Sequence, residues 1–265
     1  MKRLNAVLAQ LTPKPRDAGA NIETARGIIS RHADADLFVF PELFLGGYAT
    51  EGVGGLALDP DGPEVERMAR LAREGDAAVV FGLHERVPGG VANSAACVDR
   101  RGDLAGLYRK AHLFGDERGA FVAGDELLVV DLDGVGAGIM ICFDVEFPEV
   151  ARSLALAGAD LLLTVSANMD PFGRDHEVFA TARAIENGLP HFYVNQVGEG
   201  EAFRFAGGTM AVSADGNRLA EAGRSEGAIP VPLDLSARDE SRPEDLRPRY
   251  LEEMRGALPV VRPDR

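Results

Sequence analysis

Cys142 ends the run Val135 to Ile141, which contains no charged or polar side chain, and Pro148 follows six residues later. A short, wholly apolar run fits a strand buried on both faces. Proline suits the first turn of a helix, where its missing N–H is not needed. The order is therefore buried strand, cysteine, sharp turn, helix. That order holds a thiol at the end of a sheet, near backbone N–H groups, as a nucleophile requires. It is equally the position of a cysteine that only packs. Glu42 also follows a buried strand, Leu37 to Phe40, and precedes the loop Leu43-Phe44-Leu45-Gly46-Gly47-Tyr48. A carboxylate there is either functional or the cap of a neighbouring segment. Lys110 follows a third strand end, where an isolated lysine is normally a solvated charge.

The composition narrows the chemistry. Twenty-eight Lys and Arg stand against 42 Asp and Glu, a formal net charge of −14. Such a surface repels phosphate backbones, so nucleic acid and anionic membrane are not expected partners. The two cysteines, Cys97 and Cys142, form no disulfide framework and fit a reducing compartment. No run approaches the roughly 20 apolar residues that span a bilayer. Met1-Lys2-Arg3 precedes an apolar stretch that Asn5 and Gln10 interrupt, so it reads as a first strand and not a leader. The expected location is cytoplasmic. His112 has no second histidine at ligand spacing and no Cys-x-x-Cys occurs, so no metal is expected. Gly134, Gly136 and Gly138 precede a strand, whereas a dinucleotide fingerprint follows one. Their spacing points instead to close packing of the Cys142 strand.

The elements that must position these residues follow in order. Strands are expected at Leu4–Leu11 and Leu37–Phe40, with a helix through Ile22, Ala25 and Ile29 between them. A helix over Pro63–Glu74 precedes three strands at Ala77–Val87, Val91–Val98 and Leu104–Tyr108. Val150, Leu154 and Ala157 mark a helix after Cys142. Asp160–Ser166 is another strand, and Ala167-Asn168-Met169-Asp170-Pro171 its terminal loop. Val178, Ala182 and Ile185 are expected to be the inner face of the next helix, which Gly188 stops. His191–Val197 and three short strands between Gly207 and Leu233 complete the pattern. Two halves of similar plan suggest one domain, 1–265, with two layers of sheet. The charged segment 236–265 is expected to be a tail packed on a partner subunit.

Three separated motifs, in order, resemble the carbon–nitrogen hydrolase, or nitrilase, superfamily. They are Phe40-Pro41-Glu42-Leu43, Tyr108-Arg109-Lys110 with His112-Leu113, and Ile141-Cys142-Phe143-Asp144 ending in Phe147-Pro148-Glu149. Glu117 with Phe121, the run Arg183 to Asn187, and Asn195 before Gly198 match as well. The resemblance implies an α/β fold, a four-layer αββα sandwich of two mixed sheets flanked by helices. It also implies a triad: Glu42 the general base, Lys110 the stabilising cation, Cys142 the nucleophile. Glu117 matches a second glutamate that positions them. Phe143 stands where Tyr or Trp is commoner, which alters ring packing but keeps the backbone N–H. The expected oxyanion and substrate contacts are Phe143, Glu146, Asn168, Met169 and Tyr48.

The chemistry so implied is hydrolysis of a small amide or N-carbamoyl compound through a thioester, with no cofactor. A nitrile substrate is the alternative, and Phe143-Asp144 after the cysteine, in place of Trp-Glu, disfavours it. Some relatives that cleave amides of dicarboxylic acids carry Arg where this chain has Glu146. A substrate-facing Glu146 would repel an anionic tail and prefer a neutral or amine-bearing one. Otherwise it serves the helix N-terminus it precedes, and Arg174 supplies the opposite preference. A homodimer or larger even assembly is implied by the family. The surplus of apolar residues on the helix after Cys142 supports it, with Val150, Ala151, Leu154, Ala155, Leu156, Ala157 and Ala159 on several sides.

Overall fold

The computed structural model describes residues 3–235, and the tail 236–265 lies outside them. Alternation along β1 (Arg3–Gln10) sets the plan of the first half. Ala6 and Leu8 face one core, Val7 and Ala9 another. The second core is closed by α1 (Ala18–Arg31), through Ile22, Ala25, Ile28 and Ile29, and by α2 (Pro63–Gly75), through Val65, Met68 and Ala72. The strands β2 (Leu37–Val39), β3 (Ala78–Val87), β4 (Gly90–Val98) and β5 (Leu104–Arg109) continue this sheet. A four-residue helix, α3 (Glu117–Ala120), follows.

The second sheet begins with the hairpin of β6 (Leu128–Leu132) and β7 (Val135–Ile141). A single 3-10 turn, Cys142–Glu146, leads into α4 (Pro148–Leu156). Then come β8 (Leu161–Ser166), α5 (Gly173–Asn187), β9 (His191–Asn195) and the small hairpin of β10 (Val197–Glu199) and β11 (Arg204–Ala206). Finally β12 (Met210–Val212) and β13 (Arg218–Glu221) complete the sheet, and β14 (Gly227–Asp234) returns to the first. The orders are β14-β1-β2-β3-β4-β5 and β13-β12-β9-β8-β7-β6.

The sheets meet face to face across a core that joins Leu8, Val39 and Val80 to Ile139, Leu163 and Val194. The outer face of the second sheet is covered by α4 through Val150 and Leu154 and by α5 through Ala180 and Ala184. The layers are therefore αββα, as expected. Gly138 accounts for the tight seat of α4, because a Cβ there would lie 3.0 Å from that of Leu154. Among the described residues no helix is long and apolar enough to cross a membrane.

One expected face is wrong. Val178 and Ile185 are exposed, at 47% and 44%. The inward residues of α5 are His176, Ala180, Arg183, Ala184 and Asn187. The buried face joins Ala180 and Ala184, packed on Val145, Met210 and Val212, to side chains that hydrogen-bond. Arg183 donates from Nε to Val145 O at 2.9 Å and from Nη2 to Glu146 O at 3.0 Å. The apolar stripe is left outside. Leu156 is likewise exposed, at 53%, at the end of α4.

Candidate active site

The pairs β1–β2, β2–β3, β7–β8 and β8–β9 are parallel. Ligands of such sheets bind beyond the carboxyl ends of the strands. Glu42 lies just beyond β2, Cys142 beyond β7 and Asn168 beyond β8. Lys110 directly follows the antiparallel β5. The first sheet thus contributes the carboxylate and the cation, the second sheet the thiol.

A close backbone approach places Glu42. Gly82 in β3 passes under the Pro41–Leu43 segment so tightly that a Cβ on it would lie 2.1 Å from Leu43 N. Leu43 itself takes a positive φ of 50°. Glu42 is wholly buried, and its Oε1 accepts from Lys110 Nζ at 2.8 Å and from Asn93 Nδ2 at 2.7 Å. Its Oε2 accepts from Ala167 N at 2.6 Å. Gln196 Nε2 donates to the Glu42 carbonyl at 2.8 Å, reaching across from the second sheet. Lys110 also donates to Glu117 Oε1 at 2.9 Å and lies 2.8 Å from its Oε2. Glu117 is fixed in turn by Tyr48 OH at 3.1 Å and Phe114 N at 2.8 Å. The ammonium therefore sits between two buried carboxylates.

Burial penalises the charge of Lys110, but the nearby charges of Glu42 and Glu117 outweigh that and raise its pKa well above normal. For Glu42 the balance runs the other way. Desolvation raises its pKa above the ordinary value although Lys110 pulls it down. A carboxylate so placed takes up a proton more readily than one in water. Burial likewise pushes the Cys142 thiol up, helped by Glu42 and opposed by Lys110. The resting thiol is thus protonated and depends on a base.

Cys142 has a positive φ of 46°, a strained conformation for a residue with a side chain. Asp144 holds the turn. Its Oδ2 accepts from Ile141 N at 3.0 Å and from Tyr108 OH at 2.8 Å, and its Oδ1 accepts from His112 N at 3.0 Å. The Tyr108-Arg109-Lys110 segment is thereby tied directly to the cysteine turn. The ring of Phe143 meets the edges of Phe114 and Phe147, with centroids 5.3 and 5.1 Å away. That answers for the missing Tyr or Trp.

A cavity of about 170 Å³ opens on these groups. It is lined by Lys110, Glu117, Cys142 and Tyr48, by Phe114, Phe143 and Phe172, and by Glu146, Asn168, Met169 and His176. Every expected catalytic or substrate-contacting residue except Glu42 borders it, and Glu42 lies directly behind Lys110. Arg174 does not. It is 72% exposed and pairs with Glu177 at 2.8 Å. The Asn168 loop is braced by Asn195, whose Oδ1 accepts from Asn168 N at 2.8 Å and whose Nδ2 donates to Asn168 O at 3.1 Å.

Sequence reasoning missed Asn93, Ser166, His176 and Tyr193. Asn93 stands beside Ser94 in β4 and Ser166 ends β8 after Thr164, so strand polarity alone did not single either out. His176 was hidden by the misread face of α5.

The sandwich, with its cavity at the strand ends, agrees with the fold that the motifs imply. A model of the carbon-nitrogen hydrolase family matches residues 5–243, and the chain belongs to that family. A hydrolase from Pseudomonas protegens, known by its position in the pqqF 5' region, is 40% identical over 263 residues, 97% of this chain and 91% of the relative. An (R)-stereoselective amidase from Pseudomonas sp. is 40% identical over 235 residues, 86% and 84% of the two chains. Among solved structures, a cysteine-to-alanine variant of the amidase from Nesterenkonia sp. AN1 in complex with butyramide superposes with a TM-score of 0.83. It is 28% identical, with 95% of this chain and 94% of that one covered. The protein is an enzyme of this hydrolase family, with amidases among its relatives.

Proposed function

We propose that the enzyme hydrolyses a small primary amide to ammonia and a carboxylic acid through a thioester on Cys142. The observation that carries this is the Lys110 ammonium, held between Glu42 and Glu117 on the wall of a cavity that Cys142 also borders. Glu42 takes the thiol proton as Sγ attacks the amide carbon. The oxyanion that forms is stabilised by Lys110 and by the backbone N–H of Phe143. The proton passes from Glu42 to the amide nitrogen, the C–N bond breaks and ammonia leaves. Water, deprotonated by Glu42, then attacks the thioester and the carboxylic acid departs as the Cys142 thiol is restored. The partner is a small amide. We further propose that the enzyme acts as a homodimer or larger even assembly, in the cytoplasm.

Ammonia release from matched amides, nitriles and N-carbamoyl compounds is the test. Release from amides, lost in Cys142→Ala, is expected. Peptide mass spectrometry of wild-type enzyme acid-quenched during turnover of a slow amide should show the acyl adduct on Cys142. Turnover of nitriles alone, or an adduct on another residue, would overturn the reading.

A further inference from the structure

We propose that the enzyme selects amides whose acyl part carries a protonated amine, and that the Glu146 carboxylate, oriented by His176, binds that amine. The inference rests on the amidase reading above and names its substrate class.

Glu146 is the last residue of the turn that Cys142 begins. Four steps at the roughly 2.0 Å rise of a 3-10 turn put it about 8 Å along from the nucleophile. It borders the cavity, and its side chain is 31% exposed. Its Oε1 faces His176 Nε2 at 3.3 Å. Among the described residues it makes no other side-chain hydrogen bond, so the carboxylate keeps acceptor capacity for a ligand.

His176 is buried, and its Nδ1 lies 2.9 Å from Tyr193 OH. Tyr193 OH lies 3.0 Å from Ser166 Oγ, which accepts from Asn168 N at 3.2 Å. We take the donors of this string in one order, among those that the distances allow. Ser166 donates to Tyr193, Tyr193 to His176 Nδ1, and His176 Nε2–H to Glu146. In this arrangement the imidazole is neutral. It orients Glu146 without cancelling its charge.

Among the described residues that border the cavity, none offsets that charge. Lys110 is already matched by Glu42 and Glu117. Asp175 adds a third carboxylate at the border, after Glu117 and Glu146. Arg174 is turned away toward Glu177. An anionic tail would meet repulsion, whereas an ammonium gains a charge-assisted hydrogen bond. Phe114, Phe143 and Phe172 supply faces for the intervening methylenes and for the cation itself.

Three amides of matched length test this: 4-aminobutanamide, pentanamide and succinamate, bearing a cation, a methyl and an anion. Wild-type kcat/KM should favour 4-aminobutanamide over pentanamide by about tenfold or more, the effect of one charge-assisted contact, with succinamate poorest. In Glu146→Gln the cation-to-neutral ratio should collapse to near unity, whatever happens to absolute rates. Glu146→Arg should move the preference toward succinamate. A merely structural Glu146 would lower all rates in parallel. An unchanged ratio in Glu146→Gln, or no wild-type preference for the cation, overturns the proposal. Should wild-type enzyme release ammonia from none of the three, the amidase reading fails separately. Calorimetry with Cys142→Ala then decides selectivity. Tighter binding of 4-aminobutanamide than of pentanamide, abolished by adding Glu146→Gln, supports it, and equal binding overturns it.

Discussion

Glu42 and Glu117 share one ammonium, so when all three groups are ionised the buried trio carries two negative charges against one positive. Burial raises the Glu42 pKa above the ordinary carboxylate value; Lys110 opposes the rise and the charge of Glu117 adds to it. Activity requires Glu42 in its basic form, so kcat/KM should fall as the pH drops through this raised value. The acid limb should therefore lie above 4.5 in a pH–rate profile. A limb below that would assign the base elsewhere. Lys110→Arg should lose about 10²–10³ in kcat, as for removal of one oxyanion donor, because a planar guanidinium cannot fill the point between two carboxylates. Single-turnover kinetics would measure it. The two thiols should also separate. Cys97 is wholly buried in β4, which pushes its pKa up to about 12, and among the described residues no charged group shifts it further. Brief iodoacetamide treatment should alkylate Cys142 and spare Cys97, read by peptide mass spectrometry. Glu42, Lys110 and Cys142 were legible because each follows a strand end within a motif that resembles the family's. Asn93, Ser166 and Tyr193 were not, because their roles depend on which strands become neighbours, and local pattern does not record that.

Elements succeed or fail on the same distinction. Those with one apolar face and one wet face, such as β1 and α2, were readable from periodicity. β6 was missed, since Leu128–Leu132 is short, holds Asp131 and follows Asp125-Glu126. The inner face of α5 was misread because it joins two small apolar residues, Ala180 and Ala184, to His176, Arg183 and Asn187, whose burial depends on hydrogen-bond partners elsewhere in the fold. Gly82 shows an element chosen for what crosses it. A methyl group there would collide with the backbone at Glu42 and Leu43. Gly82→Ala should cost about 1–3 kcal/mol as overpacking, toward the upper end. Activity should suffer more than stability, since the base itself is displaced. Thermal denaturation and kcat/KM on the same preparation would show it. Loss of stability with activity intact would mean that the segment relaxes elsewhere.

For the whole molecule, the exposed apolar residues of the outer helices need an account. Val178 and Ile185 are seven residues apart on one face of α5, and Leu156 ends α4. Pairing of this layer with a second copy would cover them. Light scattering at micromolar concentration should give at least twice the 28.2 kDa of one chain. Val178→Glu with Ile185→Glu should shift the population toward the monomer. A wild-type monomer with full activity would defeat the idea. The expectation for segment 236–265 lies outside the described residues. Another consequence follows from the division of labour between the sheets. Glu42 and Lys110 belong to the first, Cys142 and the Asn168 loop to the second, and Gln196 ties the two at the Glu42 carbonyl. A folding intermediate with a single sheet formed holds a base without its thiol or a thiol without its base. The newly made chain is therefore expected to be inactive until its halves dock, so the recovery of turnover during refolding times that last step.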